Sequence, residues 1–98
     1  MNDLDELKEL TVLFADDDEI FLNSTKKTLE MLFKRVFVAN NGGEALSLYK
    51  EMHPNIIMLD IRMGSVGGLE VAGEIRKINK HVPIFIISSY TETHELLE

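Results

Sequence analysis

The 98-residue chain contains no cysteine. That absence excludes a disulfide framework, a thiolate metal site and a cysteine nucleophile. Basic residues are scarce: Lys and Arg number 10 against 17 Asp and Glu, a formal net charge of −7, with a pI of about 4.9. This balance argues against direct binding to a nucleic-acid backbone, which needs a basic patch, and against anionic membrane surfaces. No apolar run approaches the ~20 residues of a transmembrane helix. The opening Met1-Asn2-Asp3-Leu4-Asp5-Glu6 is acidic, without the basic start and apolar stretch of a signal peptide, so the expected location is the cytoplasm. Repeats, low-complexity runs and linkers are also missing, which leaves one domain at most. The composition that remains, 45% hydrophobic and 28% charged, is that of a soluble globular chain with a real but modest core.

Residues 1–10 read as a short acidic leader of one or two helical turns. From Thr11 the pattern alternates. Val12-Leu13-Phe14-Ala15 is a buried strand. Glu19 to Phe33 is a helix, with Phe21, Leu22, Thr25, Leu29 and Leu32 on one face. Val36-Phe37-Val38-Ala39 is the second strand. Asn41 and Glu44 form a capping-box-like start to a helix marked by Ala45, Leu48, Tyr49 and Met52, and His53-Pro54 ends it. Ile56-Ile57-Met58-Leu59 is the third strand, followed by a glycine-rich loop (Gly64, Gly67, Gly68). Val71, Ala72, Ile75 and Ile78 trace the next helix. Pro83 opens the fourth strand, Ile84-Phe85-Ile86-Ile87, and a further helix begins at Thr91. Strand and helix alternate as in βαβ units, which predicts an α/β fold with a parallel sheet covered by helices. The strands are continuous apolar runs, as expected when both faces are buried.

Three acids, Asp16, Asp17 and Asp18, follow the first strand, and Asp60 closes the third. In a parallel sheet all carboxyl-terminal strand ends share one edge. If the winding reverses between the first and third strands, these ends are neighbours lining a ligand-binding crevice. Asp16, Asp17 and Asp60 then form an all-oxygen site suited to Mg²⁺. Ser88 and Ser89 end the fourth strand on the same edge. Clustered carboxylates and a hydroxyl around Mg²⁺ suggest phosphoryl transfer onto an aspartate.

Five ordered strings carry a specific resemblance: Val12-Leu13-Phe14-Ala15-Asp16-Asp17-Asp18-Glu19, Asn41-Gly42-Gly43-Glu44-Ala45-Leu46, Ile57-Met58-Leu59-Asp60-Ile61-Arg62-Met63, Gly68-Leu69-Glu70-Val71 and Pro83-Ile84-Phe85-Ile86-Ile87-Ser88-Ser89. From about residue 11 to 98 the chain resembles a bacterial two-component response regulator receiver domain. The resemblance implies a flavodoxin-like, doubly wound, three-layer α/β/α fold with strand order 2-1-3-4. It implies a phosphoacceptor module rather than an enzyme, served by a sensor histidine kinase or phosphotransfer protein. Asp60 matches the phosphoacceptor. Asp16 and Asp17, with Asp60 and the backbone carbonyl of Arg62, match the Mg²⁺ site. Ser88 matches the switch hydroxyl and Ser89 its small neighbour. Arg62 and Tyr90 match positions that tune phosphoryl lifetime.

The sequence departs from the family pattern in places. Gly64 stands where Pro is usual and Gly67 where Asp is frequent, which is expected to loosen the loop. A fifth strand with an essential Lys and a switch aromatic, and a fifth helix, would fall after Glu98. The chain is therefore read as a receiver cut within its fourth helix, a piece of a longer regulator rather than a natural short form. Poor self-labelling is expected, as is self-association, either by pairing of the bared fourth strand or by exchange of elements between two copies. Two other readings are weighed. One is a phosphorylation-deficient pseudo-receiver acting as an interaction module. The other is a fragment of a Mg²⁺-dependent aspartyl phosphohydrolase, which would want an acid where Arg62 stands. Blander roles are assigned elsewhere: Asp18 as a helix cap, His53, His81 and His94 as surface residues, Gly42-Gly43 as a turn, the Met and most Phe residues as core, and Lys26, Lys27, Lys34 and Arg35 as a solvated face.

Overall fold

The computed structural model describes residues 3–88. The elements run α1 (Asp3–Leu7), β1 (Thr11–Ala15), α2 (Glu19–Glu30), β2 (Arg35–Ala39), α3 (Gly42–Met52), β3 (Ile56–Asp60), α4 (Gly68–Ile78) and β4 (Ile84–Ile87). The four strands form one parallel sheet in the order β2-β1-β3-β4. The chain steps from β1 to β2 in one direction and then crosses back to β3 on the other side of β1. That reversal places the carboxyl ends of β1 and β3 side by side.

Alternation along the strands sorts the core into two layers. Leu13 and Ala15 of β1 point to the face covered by α3 and α4, where they meet Ala39, Ala45, Tyr49, Ile57, Leu59, Val71 and Ile75. Val12 and Phe14 point to the opposite face and pack with Leu22 and Leu29 of α2. Every residue from Val12 to Ala15 is 0–1% exposed, as a central strand between two helical layers requires. Four such residues bury on the order of 6–10 kcal/mol of side-chain transfer free energy before chain entropy is charged against it.

The helix boundaries have local causes. Asp18 caps α2, its carboxylate accepting from the Ile20 and Phe21 amides at 3.1 Å each. Asn41 caps α3 by accepting from Glu44 N–H at 2.8 Å, and the Glu44 carboxylate returns to Asn40 N–H at 2.9 Å. This is the expected capping box, closed one residue further out. His53 ends α3 in the left-handed region, at φ 48° and ψ 58°, just before Pro54.

Three expectations change. The helix from Glu19 stops at Glu30, not Phe33, because the Leu32 and Phe33 amides turn back to the Leu29 carbonyl. That turn lets Phe33 pack under α2 and brings Lys34 N–H to the Leu10 carbonyl at 2.8 Å. Gly42 and Gly43 are the first residues of α3 rather than a turn; Gly42 is buried so closely on Val66 that a Cβ would stand 2.6 Å from its carbonyl oxygen. Burial of the strands on both faces holds for β1 but not β4, where Phe85 is 56% and Ile86 37% exposed; Phe85, level with Met58, lies on the α2 face, and α2 packs over β1 and β2. Several residues read as core also face outward, among them Phe21, Met31 and Met52.

Candidate functional site

The site is built at the carboxyl ends of β1, β3 and β4. Asp16 follows β1 directly, its N–H donating to the Ala39 carbonyl at 3.1 Å, so the sheet pairing carries one residue past the strand. Asp60 is the last residue of β3, level with Ile87 of β4, and the next amide, Ile61 N–H, donates to the Ile87 carbonyl at 2.9 Å. Both acids sit on backbone that the sheet holds fixed, and both are buried, at 7% and 8% exposure. Asp17 between them is exposed.

These three side chains converge. One carboxylate oxygen from each of Asp16, Asp17 and Asp60 lies within 4.8 Å of the others. Burial pushes the Asp16 carboxyl above its ordinary value, partly opposed by Asp18 N–H, which donates to Oδ1 at 2.9 Å, while the charges of Asp17 and Asp18 push it further up. Like charges in a half-desolvated crevice call for a cation. Octahedral Mg²⁺ takes oxygens at about 2.0–2.1 Å, which places neighbouring ligands about 2.9 Å and opposite ligands about 4.2 Å apart. The three carboxylates therefore fit such an ion after closing slightly, with room left for water or a further oxygen.

Asp16, Asp17 and Asp60 are thus brought together as expected. Ser88 follows β4 on the same edge, one residue beyond the position level with Asp60, and is exposed. Arg62 is exposed at the start of the loop that leaves β3. Ser89, Tyr90 and the helix expected from Thr91 lie outside the described residues.

Two residues that shape the site were read otherwise from the sequence. Gly67 and Gly68 lead into α4, and a Cβ on Gly67 would stand 2.7 Å from the Ile61 carbonyl oxygen. On Gly68 it would collide with the carbonyl of Asp60 itself. Gly68 N–H donates to the Ile61 carbonyl at 3.1 Å, so α4 starts hard against the end of β3. Gly67 therefore tightens this approach rather than loosening the loop. Gly64, at φ +65°, does occupy the left-handed region that glycine favours. The sequence signal was the consecutive glycine pair at a helix start.

Comparison with known proteins follows the same lines. A family model described as response regulator receiver domain matches residues 12–98. The chemotaxis protein CheY of Halobacterium salinarum is 33% identical over 85 residues, covering 87% of this chain and 71% of that protein. The regulatory protein AtoC of Escherichia coli is 26% identical over 87 residues, covering 89% of this chain but only 19% of AtoC. The chain thus spans about a fifth of one such relative and most of the other. Among solved structures, the response regulator TrrA of Thermotoga maritima, in complex with Mg(2+)-BeF, is 33% identical with a TM-score of 0.77, covering 88% of this chain and 75% of that one.

Proposed function

The chain belongs to the response regulator receiver family, the phosphoacceptor module of two-component signalling, and from that premise we propose that Asp60 is its phosphoacceptor and that Asp16, Asp17 and Asp60 hold Mg²⁺. The observation that carries this reading is the convergence of three carboxylates within 4.8 Å at the reversal point of the sheet. The Arg62 backbone carbonyl, two residues past Asp60, supplies a further oxygen. When bound, the ion offsets negative charge on the phosphoryl oxygens as they approach an acidic crevice.

The residues of the chain do the rest. An Asp60 oxygen attacks the phosphorus of a phosphohistidine on a sensor kinase or phosphotransfer protein. A P–O bond forms, the P–N bond breaks, and the imidazole leaves with the electron pair and takes up a proton. Asp60 is presented in line by its place at a rigid strand end, and Gly68 keeps the start of α4 against its carbonyl. Asp18 N–H occupies Oδ1 of Asp16, which leaves Oδ2 as the atom that would hold the ion. Ser88 supplies the hydroxyl that turns to the new phosphoryl group, and Ser89 is the small residue that leaves room for it. The chemistry belongs to the cytoplasm, where kinase and receiver meet; no helix among the described residues is long and apolar enough to cross a membrane.

The test is labelling with a small acyl phosphate and Mg²⁺, the site mapped by mass spectrometry and Asp60→Asn as the control. Label confined to Asp60 and lost in the variant is the expected result. Label on another residue, or equal labelling of the variant, overturns the assignment. Mg²⁺ binding with no label from either acyl phosphate or a kinase would mark a phosphorylation-deficient receiver instead.

A further inference from the structure

At the opposite edge of the sheet, away from the Asp16–Asp17–Asp60 cluster, basic residues gather where two helices end. Four of the chain's 10 Lys and Arg (Lys50, Arg76, Lys77 and Lys80) cluster at the carboxyl ends of α3 and α4. An open groove of about 520 Å³ runs between these helix ends. Tyr49, His53, Lys77, Ile78, Lys80 and His81 line it. Ile78 is 51% exposed and supplies an apolar floor beside the cations. The acids on these two helix ends are Glu51 and Glu74, and Glu74 is taken up by Lys77 at 2.9 Å. The Lys77 hydrogen bond and charge, with the charge of Lys50 on α3, hold Glu74 below its usual range.

The groove has a firm frame. Arg76 donates to the Val82 carbonyl at 2.7 Å, and the Asn79 side chain accepts from the His81 and Val82 amides. Next to it, Thr11 at the start of β1 is tied to Asn55 through both N–H and hydroxyl. Four residues before Thr11 lies the end of α1, which has the complementary chemistry. The sequence Asp3-Leu4-Asp5-Glu6-Leu7-Lys8-Glu9 sets acids around leucines. Leu4 is 57% exposed, and α1 does not pack extensively on any other element. An acidic leucine-bearing helix and a cationic apolar groove thus occupy the same edge of one molecule.

We propose that α1 of one copy docks in the α3–α4 groove of a second, and the reverse, in a two-fold dimer joined at the amino-terminal edges of the two sheets. Helix and groove share one edge, so both contacts form together and the symmetry closes. Glu6 and Glu9 meet Lys50 and Lys80, and Leu4 meets Ile78. The helix is short and the contact small, below the ~800 Å² per partner of a standard interface, so the dimer is weak and electrostatic.

Sedimentation of the chain across a concentration series up to about 1 mM measures it, since screened surface charges lose most of their attraction by about 0.5 M salt. Association that weakens about tenfold or more between low and high salt is expected. Glu6→Lys and Lys80→Glu should each weaken self-association by a similar factor, with circular dichroism unchanged. The decisive arm mixes the two variants. In the mixed pair each altered helix meets an altered groove and each native helix a native one, so a heterodimer should form where neither variant dimerises alone. A monomer at every concentration, an association indifferent to salt and to both reversals, or a mixture that fails to pair would each overturn the proposal; the second outcome would point to pairing through the exposed face of β4.

Discussion

Asp16, Asp17 and Asp18 are three copies of one residue in three environments. Asp18 is exposed and caps α2; Asp17 is exposed and faces the crevice; Asp16 is buried. Burial lifts the Asp16 carboxyl above the ordinary 3.8, so the folded chain binds that proton more tightly than the unfolded one. The charged form therefore opposes folding at neutral pH, and the penalty disappears as pH falls through the raised value. Asp16→Asn keeps the Oδ1 that accepts from Asp18 N–H and removes the charge. Without metal it should melt higher than the parent at pH 7. The gap should close in acid, and the variant should lose its response to Mg²⁺. Paired thermal melts at the two pH values check this, and a lower melting temperature at pH 7 would contradict it. The sequence marked Asp16 and Asp17 as site residues and Asp18 as the helix cap. It could not rank Asp16 and Asp17 by burial, because burial comes from Ala39 and the neighbouring strand ends, which lie far off in the chain.

At the scale of elements, α4 carries two glycines whose settings are opposite. The Gly68 position faces the Asp60 carbonyl with no space for a Cβ, whereas nothing lies within 4 Å of a Cβ on Gly73. Gly68→Ala should destabilise by about 1–3 kcal/mol through overpacking and should disturb phosphorylation, since the backbone it displaces bears the acceptor. Gly73→Ala should stabilise by about 0.5–1 kcal/mol, because alanine loses less backbone entropy in a helix. Urea unfolding of both variants makes the comparison, and equal signs would refute it. The alternation of strands and helices, the Asn41–Glu44 box and the stop at His53-Pro54 were legible because each is a local signal. The end of α2 and the duty of Gly67 and Gly68 were not. They depend on where Phe33 finds a core and on which carbonyl a helix start meets, and periodicity carries neither.

For the whole molecule, alternation alone leaves the winding direction open; the order 2-1-3-4 came from the receiver resemblance, and the β2-β1-β3-β4 sheet agrees with it. A ligand that binds only the folded chain stabilises it by about 1.4 kcal/mol at ten times its Kd. Mg²⁺ should accordingly raise the melting temperature by several degrees at saturating concentrations, and Asp17→Asn should shift that response to higher Mg²⁺. An unchanged melt across the titration would remove the metal from the account. The placement of β1 has another consequence, in the currency of solvent exchange. Its amides are hydrogen-bonded between two neighbours beneath two layers of side chains, so they should trade hydrogen for deuterium only when the entire fold opens. Those of β4, beneath the exposed Phe85 and Ile86, should do so through smaller and more frequent excursions. Deuterium then enters this sheet from the β4 side, and uniform protection across all four strands would contradict that. Asp60, at the end of β3, stands between the strand expected to open last and one expected to open more often, so a charge gained there acts on the border between them.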